Sequence, residues 1–117
     1  MKDNSSNQKI VRFYLDRYAA KDLASVTAMF AEDIILRDWK IRVVGKEQAV
    51  QETKKNFESA ESIAIEVLST YENLDTVAAE LIITVDGSEI LHVVDVITIN
   101  SAGKISSIRA YLGRGDD

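Results

Sequence analysis

Asp95 sits in the run Ser88–Ile99, whose Ile, Val and Thr content reads as a long β-strand. Alternate side chains of a strand share a face, so Asp95 points the same way as Leu91, Val93, Ile97 and Ile99. A carboxylate in that stripe loses its hydration, and with no cation beside it its pKa must rise. Asp38 repeats the pattern: it shares strand parity with Ile34 and Leu36, while Arg37 points the other way. Tyr14 is a phenol on the apolar face of the first helix, where its hydroxyl needs a partner. Two carboxyls of opposite protonation in one pocket would be the mark of divided acid and base roles, the chemistry of moving a proton.

Each residue also has a plainer reading. Asp38 lies near a strand end and could accept hydrogen bonds from a turn. The other face of the Asp95 strand (Ile90, His92, Val94, Val96) is apolar too. If that face met the core, Asp95 would face water. Tyr14 could be a core-edge residue with its hydroxyl at the surface. His92, the one histidine, reads as a partly buried or interface residue, with general-base work as the lesser alternative.

The elements that would position these groups follow from periodicity. Ile10, Val11, Phe13, Tyr14 and Tyr18 recur at helical spacing over Gln8–Ala20. Asp22 is a candidate N-cap for a short helix over Leu23–Phe30. Ile34–Asp38 reads as a strand, and Gly45 precedes a third helix that carries Ala49, Val50, Thr53 and Phe57 on one face. After Ser62 the period changes to two, giving strands over Ile63–Thr70, Val77–Val85, Ser88–Ile99 and Lys104–Leu112. Asp86-Gly87 is a hairpin signal, because a type I′ turn needs positive φ at both central positions; Asn100–Gly103 supplies the last turn. Helices followed by a meander indicate an α+β fold, with the helices on one face of a curved antiparallel sheet.

Composition narrows the function. The chain has 117 residues, 46% apolar and 28% charged, which suits a single globular domain over 1–117 with loose ends at 1–7 and 113–117. A net charge of −5 and no basic run argue against nucleic acid or an anionic membrane as partner. Without Cys there is no disulfide, thiol nucleophile or thiolate zinc site, and one His cannot make a multi-histidine metal site. No apolar run approaches the roughly 20 residues that span a bilayer. The polar start MKDNSSNQK carries no apolar h-region, so a cytoplasmic location is the expectation.

Several segments carry a resemblance. They are Tyr14 on the first helix, Ala20–Leu23, Ala28–Asp33 running into the strand that ends at Asp38, Val94-Asp95, Asn100–Ile105 and Ile108–Gly113. Together they resemble the nuclear transport factor 2-like superfamily, and within it most of all the bacterial ketosteroid isomerases (steroid Δ-isomerases), with the SnoaL-like polyketide cyclases nearby. The resemblance implies three N-terminal helices and a cone-like curved antiparallel sheet enclosing an apolar pocket. It also assigns roles: Tyr14 and Asp95 as the oxyanion hole and Asp38 as the proton shuttle. In that family one carboxylic acid is kept neutral by an apolar site, which the resemblance implies for Asp95 here. The chain departs from its pattern at Trp39, where a Pro is common, in the short segment from Asp38 to Gly45, and at Thr53, where some members carry a further Tyr.

The implied activity is abstraction of a proton α to a carbonyl and its return at another carbon through a dienolate, with no cofactor or metal. Trp39, Phe57, Val67, Leu81, Ile83, Val93, Ile97 and Tyr111 are candidates to line the pocket around a small apolar carbonyl compound. The rival readings are a non-catalytic small-ligand-binding domain, a cyclase (polyketide cyclase-like), dehydratase or epoxide hydrolase, and a purely structural interaction domain. Dehydratases that rely on paired histidines are disfavoured by the single His92. The resemblance further implies a homodimer through Ile90, His92, Val94 and Val96, a face too apolar to leave in water.

Overall fold

The protein is described by a computed structural model covering residues 6–115. Its elements in chain order are α1 (Ser6–Ala19), α2 (Leu23–Met29), β1 (Phe30–Arg37), β2 (Arg42–Val44), α3 (Lys46–Ser59), β3 (Ile63–Asn73), β4 (Thr76–Val85), β5 (Glu89–Ile99) and β6 (Ile105–Leu112). The six strands form one curved, unclosed sheet in the order β2-β1-β6-β5-β4-β3. α1 packs on β3 and β4, α3 packs on β1 and β2, and α2 touches both of the other helices. An α+β fold with three helices on one sheet is therefore what forms.

Local signals translate directly into local structure. Asp22 caps α2 by accepting from the Ser25 N–H at 3.1 Å. Asp86 and Gly87 adopt φ of 55° and 76°, which gives the tight β4–β5 hairpin the backbone twist it needs. Thr53, β-branched inside α3, donates its hydroxyl to the Ala49 carbonyl one turn back, at 2.8 Å.

Two features of the sheet depart from expectation. The sheet is mixed rather than antiparallel, because β1 runs parallel to β6, with Leu36 opposite Ile108 and Arg37 opposite Arg109. Parallel neighbours need a long crossover, and here most of the chain lies between the two strands. β2 is the second: three residues fold back antiparallel on β1 through the turn after Arg37, too short a strand to show a period.

The helices cover one sheet face, and the residues between form a single cluster that includes Val11, Val26, Phe30, Ile34, Leu81, Ile97, Ile105 and Ile108. Along β5 this inner face carries Leu91, Val93, Asp95, Ile97 and Ile99, so the Asp95 face is the one that meets the helices. Among the described residues, no helix is long and apolar enough to cross a membrane. Residues 1–5 and 116–117, part of the termini expected to be loose, lie outside the described residues, while the Gly113 N–H donates to the His92 carbonyl at 2.7 Å.

Candidate active site

Between the helices and one half of the sheet lies a cavity of about 590 Å³, which Tyr14, Asp38 and Asp95 all line. Each arrives from a different element. Tyr14 projects from the middle of α1 and is 4% exposed. Asp95 comes from the inner face of β5, opposite Ala79 on β4 and Ala110 on β6. Small residues on both sides leave its carboxyl standing clear of the sheet. Asp38 stands immediately after β1, in the turn to β2.

Their environments separate the two carboxyls. Asp95 is 8% exposed, and among the described residues no side chain or backbone group hydrogen-bonds to it. Burial, and then the nearby charge of Asp38, push its pKa up to about 7. Asp38 is anchored: one oxygen, Oδ1, accepts from the backbone N–H groups of Lys40 at 2.7 Å and Ile41 at 2.9 Å. The second oxygen has no partner among the described residues. The turn-acceptor reading of Asp38 and its place in the cavity wall thus hold together. Burial, then the fields of Tyr18 and Asp95, hold the Tyr14 hydroxyl well above the usual phenol range, so it is a neutral donor at any ordinary pH.

The remaining expected pocket residues divide. Trp39, Ile83 and Val93 line the cavity; Phe57, Val67, Leu81, Ile97 and Tyr111 do not. Leu81 and Ile97 lie in the packed core, Ile97 two residues beyond Asp95 on β5 and Leu81 on β4 opposite Val93. Phe57 is buried with its ring edge-on to Tyr18, centroids 4.8 Å apart. Val67 packs against the same core. Tyr111 is on the opposite face because β6 carries a bulge: Ile99 pairs with Ile105 and Thr98 with Ser107, leaving Ser106 over. One extra residue reverses every side chain beyond it. Ile108, Ala110 and Leu112 therefore take the cavity side, and Tyr111 meets Arg37 outside, its hydroxyl accepting from the guanidinium at 2.6 Å.

The wall is apolar at depth but not throughout. Lys40, Asn56, Ser59 and Glu89 also line it, and all four are exposed, which places them at the mouth. Tyr18 was hidden among the apolar positions of α1. It lies one turn beyond Tyr14, with the ring centroids 5.8 Å apart, and its hydroxyl accepts from the Asn56 side-chain amide at 3.0 Å. Its signal in the sequence is the i, i+4 spacing from Tyr14. His92 is on the outer face of β5, away from the cavity. Among the described residues no three His, Asp or Glu side chains gather as a metal site.

Chemically, the arrangement offers two hydrogen-bond donors at depth, Tyr14 and a protonated Asp95, facing the same space as an anchored carboxylate.

Comparison with known proteins agrees with the fold. No curated protein sequence matches the chain. Among solved structures, a candidate ketosteroid isomerase from Kribbella flavida superposes with a TM-score of 0.83 at 18% identity, covering 100% of this chain and 84% of its own. SalBIII, an epoxide hydrolase/cyclase-like enzyme of pyran-ring formation in salinomycin, gives 0.83 at 24% identity, covering 97% and 95%. A candidate polyketide cyclase from Sinorhizobium meliloti gives 0.78 at 18%, covering 87% and 93%. The model of the SnoaL-like domain family matches residues 10–108. By that match across most of its length the chain belongs to the SnoaL-like domain family, and it has the nuclear transport factor 2-like fold.

Proposed function

We propose that the protein is a cofactor-independent isomerase that moves a proton from a carbon α to a carbonyl to another carbon of the same substrate, by way of a dienolate. The observation that carries this reading is the meeting, in one cavity, of a buried acid that favours its protonated form and a second acid held on a turn with one oxygen free. In this scheme the free oxygen of Asp38 takes the α-proton, and electrons from the C–H bond move toward the carbonyl oxygen. Tyr14 and neutral Asp95 donate hydrogen bonds to the oxygen as charge develops there. Asp38 then returns the same proton to the γ-carbon, so atoms and charge balance without an external reagent. Donors fixed before the reaction are worth more than water, which must reorient.

Because Asp95 donates only while protonated, turnover of a β,γ-unsaturated ketone should fall as the pH rises through about 7. In Asp95→Asn, whose amide keeps a donor at every pH, that limb should vanish from the kcat profile. An identical limb in both proteins would remove Asp95 from the oxyanion site. The same acid–base pair could open an epoxide, with Asp95 protonating the ring oxygen and Asp38 taking the proton of an attacking hydroxyl. The likeness to SalBIII favours keeping that second reading. Cyclisation of a hydroxy-epoxide with no action on any enone would decide for it, and a ligand bound but unchanged would decide for a binding domain.

The reading includes a homodimer through the outer sheet face, which places His92 and Val96 beside the exposed Ile90 and Val94. Arg37 and Arg109 lie toward one side of this face, and Glu66 and Glu80 lie toward the other. The Arg109 Nε is buried with no partner. A two-fold axis through β5 would bring the basic side of one copy to the acidic side of the other. Light scattering at micromolar concentration should give twice the chain mass, falling to one chain mass in an Ile90→Asp, Val94→Asp double variant; a monomeric wild type would end the proposal.

A further inference from the structure

Tyr18 has a proton to give and nothing in the described structure to receive it. Its hydroxyl oxygen accepts from the Asn56 side-chain N–H at 3.0 Å, and a phenol in that position turns its own hydrogen away from the donor. Among the described residues no acceptor meets that hydrogen. The ring is held from two sides, edge-on to Phe57 at 4.8 Å and tilted against Tyr14 at 5.8 Å. The hydroxyl is therefore aimed by packing, and Tyr18 lines the cavity. The Thr53 hydroxyl, also in the wall, is spent on the Ala49 carbonyl and cannot serve as this donor.

Position along the cavity gives the donor a meaning. Tyr14 is deep, whereas Tyr18 is part-exposed and paired with Asn56 at the mouth. The cavity thus offers two donor stations, a deep one at Tyr14 and Asp95 and an outer one at Tyr18, about one helical turn apart. We propose that Tyr18, aimed by Asn56, is a specificity-determining donor for a second oxygen function of the ligand, so that the preferred ligands carry two oxygens separated by about the spacing of the two tyrosines. A compound with one oxygen would leave the Tyr18 hydroxyl dehydrated and unpaired, which costs affinity. The inference rests on the isomerase reading only in placing the first oxygen at Tyr14 and Asp95.

The test compares two probes of nearly equal size, 4-ethylphenol and 4-(hydroxymethyl)phenol, which share the phenol and differ by a second oxygen. Kd for each is measured by calorimetry with wild type, Tyr18→Phe, Asn56→Ala and Tyr14→Phe. The ratio of affinities for the hydroxymethyl over the ethyl compound should fall roughly fivefold in Tyr18→Phe, the worth of one ordinary hydrogen bond. It should fall by a smaller factor in Asn56→Ala, and 4-ethylphenol affinity should stay within about twofold of wild type in both. Tyr14→Phe should weaken both probes alike and leave the ratio unchanged. A ratio unchanged in Tyr18→Phe overturns the proposal, as does an equal loss for both probes, which would make Tyr18 a packing residue. Indifference of both probes to Tyr14→Phe would instead count against the placement of the first oxygen, whatever Tyr18 does.

Discussion

Asp38→Asn is expected to lower kcat for a β,γ-unsaturated ketone by about 10²- to 10⁴-fold, the usual contribution of a positioned general base. An amide cannot take a proton from carbon, yet Asn keeps one carbonyl oxygen in the same place. That oxygen can still accept from Lys40 and Ile41, the two bonds that close the β1–β2 turn. The fold should therefore survive, with a melting temperature within a few degrees of wild type. Loss of activity together with loss of structure would tie Asp38 to the turn alone, and wild-type turnover in a folded variant would remove it from the chemistry. Asp38→Ala makes the contrast sharper. It deletes both turn bonds, so it should lose stability as well as activity.

The second large effect is on stability, and it depends on pH. Asp95 titrates near 3.8 when the chain is unfolded and near 7 when folded. The folded state thus holds this proton more tightly, and stability rises wherever the folded state binds more protons than the unfolded one as pH falls. Below about pH 4 the acid is neutral in both states and costs nothing. Between about 4 and 7 the unfolded chain releases the proton and the folded chain does not, so wild type loses stability with each pH step. Above 7 the loss is complete and amounts to on the order of 4 kcal/mol, for a displacement from 3.8 to about 7.

Asp95→Asn has no such titration. Measured by urea unfolding at pH 4, 5.5 and 8, its stability relative to wild type should improve steadily and be greatest at pH 8. The difference between the two profiles reports the charge at position 95. Parallel stability profiles would mean that the Asp95 carboxyl is hydrated in the folded protein. In the proposed mechanism the cost has a functional sense: a group that destabilises the fold when charged is one kept able to donate a proton.

How much of this was legible beforehand differs from residue to residue. The parity of Asp95 with Leu91, Val93, Ile97 and Ile99 was readable, because the two-residue period of a strand is a local property. It left open which face meets the helices, and only their docking on the Asp95 side settled that. The cap at Asp22 and the positive φ at Asp86 and Gly87 were readable for the same reason, since each needs only its immediate neighbours. Tyr14 and Asp38 were readable as out of place, though the two backbone bonds that fix Asp38 were not.

What the linear chain alone determined was the fold class and the acid in an apolar stripe that marks the candidate site, through periodicity and turn residues. The tertiary structure decided the rest. A single extra residue at Ser106 turned Tyr111 outward, and its presence depends on how β6 pairs with β5. The parallel pairing of β1 with β6 joins segments about 70 residues apart, which no local pattern encodes. The boundary between core and cavity also lay beyond the pattern. Leu81, Ile83, Val93 and Ile97 share one face of neighbouring strands, and only the crossing of the helices made some of them filling and the others wall. Whether a buried apolar side chain meets another side chain or an empty space is a property of three-dimensional closure.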